Sequence, residues 1–325
     1  MLRVALLGRF LLLAPLALCA GVAHAWPDRP ITLIVPFSAG GPTDTIGRIL
    51  AESMSRALGK TIVVENVTGA GGTIANARVI KSPPDGYTIM IGHVGTHVFA
   101  PAVQRLNVDY LRDFDPVALV ATNPEVIVSR NDVPANSLQE LIAWVRASPP
   151  GTVSFASGGA GTPSHIMAVQ FGQLVAPLNI VHYRGAAPAM LDVVAGHVDL
   201  SFDQAATGLT YARSGKVRAY AITAKNRLAS AADIPTVDEA GLSGFYMSIW
   251  HGIWAPHGTS PDVITKIDEA VREALADPLV RKRLVDLGQD IPPPDQQTPE
   301  ALRALQKAEV EKWHPLIKAA NIKAD

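Results

Sequence analysis

The chain has 325 residues, 48% of them hydrophobic, with 28 Lys and Arg against 29 Asp and Glu. That apolar content excludes a disordered chain, and a near-neutral balance without a basic block or like-charge run excludes a nucleic-acid surface and a charged tail. The length exceeds one ordinary core and predicts two lobes.

Residues 1–25 read as a secretory leader: Arg3 and Arg9, an apolar run from Phe10 to about Ala20, and Ala23-His24-Ala25 before a cut ahead of Trp26. Removing it leaves 26 basic against 29 acidic residues, a net charge of −3. The single cysteine, Cys19, falls inside the leader, and Leu18 fits poorly the small residue that a lipoprotein site needs. The mature chain is therefore expected to carry no thiol, disulfide or lipid anchor. No later stretch approaches the roughly 18 apolar residues of a membrane span. The expectation is a soluble protein of the bacterial periplasm.

From Trp26 onward strand and helix alternate: a strand over Ile31–Val35, a helix over Thr43–Leu58 closed by Gly59, a strand over Thr61–Glu65, a helix over Thr73–Lys81 and a strand over Tyr87–Gly92. In the first helix Ile46, Ile49, Leu50, Met54, Ala57 and Leu58 recur at helical spacing and define one buried face. Such βα units imply a largely parallel sheet. Two apolar runs, Val117–Ala121 and Glu125–Ser129, flank Thr122-Asn123-Pro124, where the first crossing between lobes is placed.

The second lobe repeats the alternation: helix Ser137–Ala147, strand Thr152–Ala156, helix Pro163–Leu174, strand Asn179–His182, helix Pro188–Ala195, strand Val198–Phe202 and strand Arg218–Thr223. A return crossing is placed near Gly244–Ile249, followed by closing helices over Pro261–Leu275, Pro278–Leu287 and Pro299–Ala320, each opened by proline. This gives an α/β chain with lobe 1 as residues 26–124 plus 246–325 and lobe 2 as residues 125–245.

Three loops follow strands and open helices: Phe37 to Asp44, Ser157 to His165, and Tyr183 to Pro188. In a doubly wound sheet all three lie beyond the carboxyl ends of strands, where such folds bind ligands. A helix N-terminus there offers free N–H groups and partial positive charge to an anion, and Gly40 and Gly41 let a ligand reach the backbone. Each loop taken alone also has an ordinary structural reading, since βα loops need glycines and N-caps. Gly69–Gly72 and Gly158–Gly161 lack the nucleotide-binding spacing and a phosphate-loop lysine, so they read as close-approach loops for a small ligand or the facing lobe.

Catalytic motifs are missing, with no Gly-x-Ser-x-Gly elbow and no His-Glu-x-x-His pair. His93 and His97 are four apart, but Gly95 and the adjoining strand argue for a loop there rather than a metal pair. His165 and His182 read either as helix-face and strand-end residues or as ligand hydrogen-bond partners. Arg184 is either solvated or a bidentate carboxylate partner. Asp44 is either a first-turn residue favoured by the helix dipole or a ligand contact, and Asp203 either an N-cap or an acceptor from a ligand amine or hydroxyl.

Taken in order, Trp26-Pro-Asp-Arg-Pro-Ile31, Val35-Pro-Phe-Ser-Ala-Gly-Gly-Pro-Thr-Asp44, Val64-Glu-Asn66, Gly69-Ala-Gly-Gly72, Pro84-Asp-Gly-Tyr-Thr88 and Asp113-Phe-Asp-Pro-Val117 form one series. It continues through Ser157-Gly-Gly-Ala-Gly-Thr-Pro-Ser-His165, Tyr183-Arg-Gly-Ala-Ala-Pro-Ala189, Pro235-Thr-Val-Asp-Glu-Ala-Gly241 and Glu311-Lys-Trp313. Across the whole mature chain this series resembles the substrate-binding receptors of tripartite tricarboxylate transporters, the Bug family.

The resemblance implies a two-lobe periplasmic-binding-protein fold of the Venus flytrap kind, each lobe a mostly parallel sheet flanked by helices. It implies closure on one small organic carboxylate or amino acid, with no cofactor, no metal and no catalysis. A ligand carboxylate would be held by backbone amides and water at Phe37, Ala39, Gly40, Gly41 and Asp44 of lobe 1, and at Ser157, Gly161, Thr162, His165, Tyr183, Gly185 and Ala187 of lobe 2. His93 and His97 depart from the small hydroxyl residues usual in the family, and that end of the cleft is expected to set specificity. An imidazolium there would strengthen binding of a second carboxylate as pH falls. The implied partners are the ligand and the membrane permease subunits of a tripartite transporter, with the receptor a monomer. Two competing readings are a ligand sensor feeding a sensor kinase and a clamshell hydrolase using Ser164 and His165.

Overall fold

The computed structural model describes residues 26–324, so the leader and Cys19 lie outside the described residues. The first half builds β1 (Ile31–Val35), α1 (Pro42–Leu58), β2 (Ile62–Asn66), α2 (Thr73–Ile80) and β3 (Thr88–His93). A π-helical turn at Gly95–Phe99 then leads into the short helices α3 (Ala100–Val103) and α4 (Tyr110–Asp113), and next comes the long β4 (Phe114–Ser129). The second half builds α5 (Leu138–Ala147), β5 (Ser154–Ser157), α6 (Pro163–Leu174), β6 (Asn179–His182), α7 (Ala186–Val194), β7 (Leu200–Gln204), α8 (Ala205–Arg213) and β8 (Arg218–Ile222). The chain returns through β9 (Ser248–Pro256) to α9 (Pro261–Ala276), α10 (Pro278–Asp286) and α11 (Pro299–Ala319).

The apolar faces explain the packing. β1 and the inward side of α1 are both apolar, and Ile31, Leu33, Ile46, Leu50 and Met54 join Ile253, Ile267 and Val271 in one core under β9 and α9. A second core follows β4 into the other half through Phe155, Phe171, Phe202 and Phe245, whose rings pack edge to face.

Strand order runs β2-β1-β3-β9-β4-β7-β5-β6, with β8 on the other edge of β4 from β7. The βα units pair in parallel, as β1 with β2 and β3, and β5 with β6 and β7. β4 and β9 are the exceptions. Each runs antiparallel to its neighbours, and β4 passes from β9 over Phe114–Pro124 to β7 and β8 over Glu125–Ser129. The two apolar runs of the sequence are thus one strand. Both halves stay continuous through it, with a register shift near Pro116 that absorbs the missing proline N–H and a second near Leu119.

Two elements depart from the sequence expectation. β9 lies where only a crossing was expected, because Gly252 and His251 interrupt the alternation of Ile249, Trp250, Ile253 and Trp254. α8 was not expected between β7 and β8, since Thr207, Gly208 and Thr210 dilute its helical pattern; Gly208 lets α8 settle against Val126 of β4.

Candidate functional site

Glycines let the two halves meet backbone to backbone. Ser38 N–H donates to the Arg184 carbonyl across the cleft at 3.3 Å. Gly161, with φ +80°, lies so close to Ala100 that an added Cβ would sit 2.9 Å from that residue's nitrogen and Cβ. Gly71 packs against the Ala160 carbonyl, and Gly185 against Ser38 and Phe37. Gly71, Gly159 and Gly161 therefore serve the facing half, while Gly69, Gly72 and Gly158 pack within their own.

Beneath this seam lies a narrow cavity of about 30 Å³. Its lining comes from the loop before α1 and that helix's first turn (Phe37, Pro42, Thr43), the end of β3 (His93), the loop after β5 (Gly158), the start of α6 (Thr162, Pro163, Ser164) and the start of α7 (Ala186). Its floor is Glu125 of β4 with Phe202, Asp203 and Gln204 of β7. No Lys or Arg is among these residues.

All four helices that begin here, α1, α6, α7 and α8, lack a side-chain cap, as do α2 and the short α3. Asp109, Ser137, Ser260, Asp277 and Thr298 cap α4, α5, α9, α10 and α11 with side-chain oxygens. Pro42 and Pro163 occupy the first positions of α1 and α6, fixing the entry angle where an N–H would have no helical partner. The uncapped first turns aim partial positive charge and N–H donors toward the cavity.

Of the residues singled out in the sequence, Phe37, His93, Thr162 and Asp203 line the cavity. Gly41 and Ala187 face one another, with a Cβ on the former 3.8 Å from the latter's nitrogen, and Gly185 adjoins them. Ala39 and Gly40 are exposed at the rim. Ser157 is buried, its hydroxyl 3.2 Å from the Gly159 N–H and from His182 Nδ1. His165 Nδ1 accepts from the Gly161 N–H at 3.0 Å, and its ring stands edge-on to His182. Tyr183 turns its hydroxyl to Asp192, and burial together with that hydrogen bond pushes it up to about 12.

Asp44 is buried, and its oxygens are taken up within its own half. Oδ2 accepts from Gly40 N–H and Arg48 Nε, and Oδ1 from Asn66 Nδ2, each at 2.9 Å. Burial alone would raise this carboxyl, but the bonds from Arg48, Gly40 and Asn66 outweigh it and hold it below the usual carboxylate range. Its role here is to fold the Phe37–Gly41 loop. The Arg184 side chain points to solvent, and only its carbonyl joins the seam.

The expectations for the histidines need correction. The segment after His93 is a π-helical turn rather than a loop, and it swings His97 away from the cavity onto Trp254, stacked at 3.7 Å. His93 stacks on Phe37 at 5.0 Å and stands edge-on to His251. Its Nδ1 accepts from the Gly95 N–H, which leaves Nε2 as the protonated nitrogen. Burial pushes His93 down to about 3, and burial then the neighbouring His93 push His97 and His251 well below the ordinary imidazole range. These rings are neutral donors and acceptors, not imidazolium partners.

The hydrolase geometry also fails. Ser164 Oγ accepts from Gly158 N–H and lies 3.1 Å from the Thr162 hydroxyl, while His165 is turned to Gly161.

Glu125, Gln204 and Thr43 were missed. Glu125 is 1% exposed, and burial, then the charge of Asp203, pushes it well above the carboxylate range. Burial pushes Asp203 to about 7 against the bonds from Thr207 and the Gln204 amide. The readable signal was a lone acid between two apolar runs.

The sequence matches the family described as tripartite tricarboxylate transporter family receptor over residues 46–322. A protein from the TAR-I ttuE-ttuC' intergenic region of Agrobacterium vitis is 39% identical over 302 residues, covering 93% of this chain and 87% of its own. The solved structure of the periplasmic binding protein BugD is 40% identical with a TM-score of 0.88, over 92% of this chain and 99% of that one. MatC from Rhodopseudomonas palustris with bound malate is 38% identical with a TM-score of 0.86, over 90% and 100%.

Proposed function

This chain belongs to the tripartite tricarboxylate transporter receptor family, whose solved relatives are periplasmic solute-binding proteins and not enzymes, and from that premise we propose that it captures a small organic carboxylate for uptake. In this reading residues 26–124 with 246–325 form one lobe and 125–245 the other, and the protein acts as a monomer after its leader is cut in the periplasm. It then delivers its ligand to the permease subunits of a tripartite transporter.

One observation carries the reading. Four helix N-termini without side-chain caps converge on a cavity that has no lysine or arginine in its lining. Backbone amides around Gly41, Thr43, Thr162, Ser164 and Ala187 hold the carboxylate there, with Thr43, Thr162 and Ser164 hydroxyls and the His93 Nε2–H as further donors. Asp44 keeps the first loop in shape for this role.

A thermal-shift screen of refolded residues 26–325 against mono-, di- and tricarboxylates, amino acids and aromatic acids tests it. A ligand at a hundred times its Kd stabilises by about 2.7 kcal/mol, a shift of several degrees. A folded protein that responds to none of them would overturn the reading.

A further inference from the structure

The floor of the cavity has the opposite polarity from its loops. Glu125 sits where β4 passes from one half to the other, and its Oε2 is buried without a hydrogen-bond partner. Its cross-strand neighbour is Gln204, whose Oε1 is likewise buried without one. Both line the cavity with Asp203, whose carboxylate accepts from Thr207. A buried acceptor with no donor costs about 1–3 kcal/mol, and more when charged. No cationic side chain among the lining residues offsets it. A protein that keeps such a group beside its binding cavity keeps it for a donor that arrives with the ligand.

We propose that Glu125, flanked by Gln204 and Asp203, receives a protonated amine, so that the ligand is an amino acid bound as its zwitterion. This rests on the carboxylate-receptor reading above and adds the second end of the ligand. An ammonium brings three N–H donors and a positive charge that favours the carboxylate, acceptor-only forms of Glu125 and Asp203 over the protonated forms that burial favours without it. A hydroxyl brings one donor and no charge, and a methylene brings neither. A second carboxylate would meet two carboxyl groups with no cation between them. The carboxylate of the amino acid lies at the helix N-termini and its ammonium at the floor, so the ligand's dipole runs along the cavity's own.

Matched acids on one skeleton isolate the amine: alanine, lactate and propionate; aspartate, malate and succinate; glutamate, 2-hydroxyglutarate and glutarate; phenylalanine, phenyllactate and phenylpropionate. Titration calorimetry on refolded residues 26–325 should show, in the series that fits, the amino acid bound roughly 30-fold more tightly than the plain acid, the worth of one charge-assisted hydrogen bond. Glu125→Gln should bring the two within about threefold. A plain or hydroxy acid that binds as tightly as its amino counterpart would overturn this inference and leave the receptor reading standing. An amino preference that survives in Glu125→Gln would overturn the assignment to that residue, and because the preference is measured in the wild type too, poor folding of the variant cannot hide the answer. Binding by none of these acids would count against the receptor reading itself.

Discussion

Gly161→Ala tests whether the seam between the halves is part of binding. The added Cβ would lie 2.9 Å from the nitrogen and Cβ of Ala100, and nearer to its Cα, where ordinary contact begins at 3.4 Å. The gap must therefore widen by about half an ångström or more, and the nitrogen and Cα at the pinch are backbone. Overpacking of this kind costs ~1–3 kcal/mol. That cost falls only on the closed arrangement, because Gly161 and Ala100 come from different halves. The left-handed φ of +80° adds about 1–2 kcal/mol of strain to closed and open forms alike. Affinity should fall by roughly 10-fold to 100-fold, while the melting point drops only by the amount the strain explains. Gly172→Ala is the control, since it lies outside the cavity lining and its Cβ would meet Pro177 Cα at 3.7 Å without a left-handed φ. Calorimetry gives affinity, and small-angle scattering with and without ligand reports closure. Unchanged affinity in Gly161→Ala, with wild-type compaction on binding, would refute the argument that this close approach is needed.

Three further outcomes concern buried charge. Asp44→Ala strips the Gly40, Arg48 and Asn66 donors of their acceptor and should destabilise by about 2–3 kcal/mol by urea unfolding; the carboxyl is held low, so the deficit should shrink once pH drops below about 4. Asp203 has a folded pKa of about 7, above its unfolded value, so the unfolded chain binds fewer protons between pH 4 and 7 and stability falls as pH rises. Asp203→Asn should gain on the wild type by about 3 kcal/mol between pH 4.5 and 7.5 in ligand-free melts, and a constant difference would contradict the burial. His93, at about 3, has the opposite sign: the unfolded chain binds the proton below pH 6.5, and stability falls with pH. The wild type should therefore lose about 2 kcal/mol relative to His93→Asn between pH 7.5 and 5, and parallel curves would show the ring to be solvated.

The alternation of strands and helices was legible because each βα unit is local: apolar runs of strand length end in glycine or proline and open onto amphipathic segments. The closing helices were equally clear, with α6 and β6 falling on the expected residues and α9 to α11 within a residue or two. What escaped was non-local. β9 is a strand only because β3 and β4 flank it, and its Gly252 and His251 make sense only against Leu302 and His93. The loops facing the cavity were found because glycine and a helix start leave a mark in sequence. Gln204 and His251 carry no such mark, since what distinguishes them is the company that folding brings, and Glu125 shows only as a lone acid between two apolar runs. The same limit explains the histidines: His93 and His97 look like a pair in sequence, but the π-helical turn sends one to the cavity and the other into the Trp254 stack.

The capping pattern also explains how a chain of net negative charge can hold an anion. Each uncapped terminus carries about half a positive charge, which counts for little in water and for more once water is excluded. Termini of α1, from one half, and of α6, α7 and α8, from the other, surround the cavity in the arrangement that the Ser38–Arg184 hydrogen bond joins. The acceptors at the floor follow the same rule, since Glu125 is exposed to no solvent that could solvate it in the closed form. Under the proposed function, recognition and closure are one event. Neither half alone presents both ends of the dipole in a dry environment, so a ligand that engages both shifts the population toward the closed form by the difference in its affinity for the two states. A ligand satisfying one end alone would leave the other buried and unpaired, and that penalty, rather than any steric wall, sets the selectivity of the site.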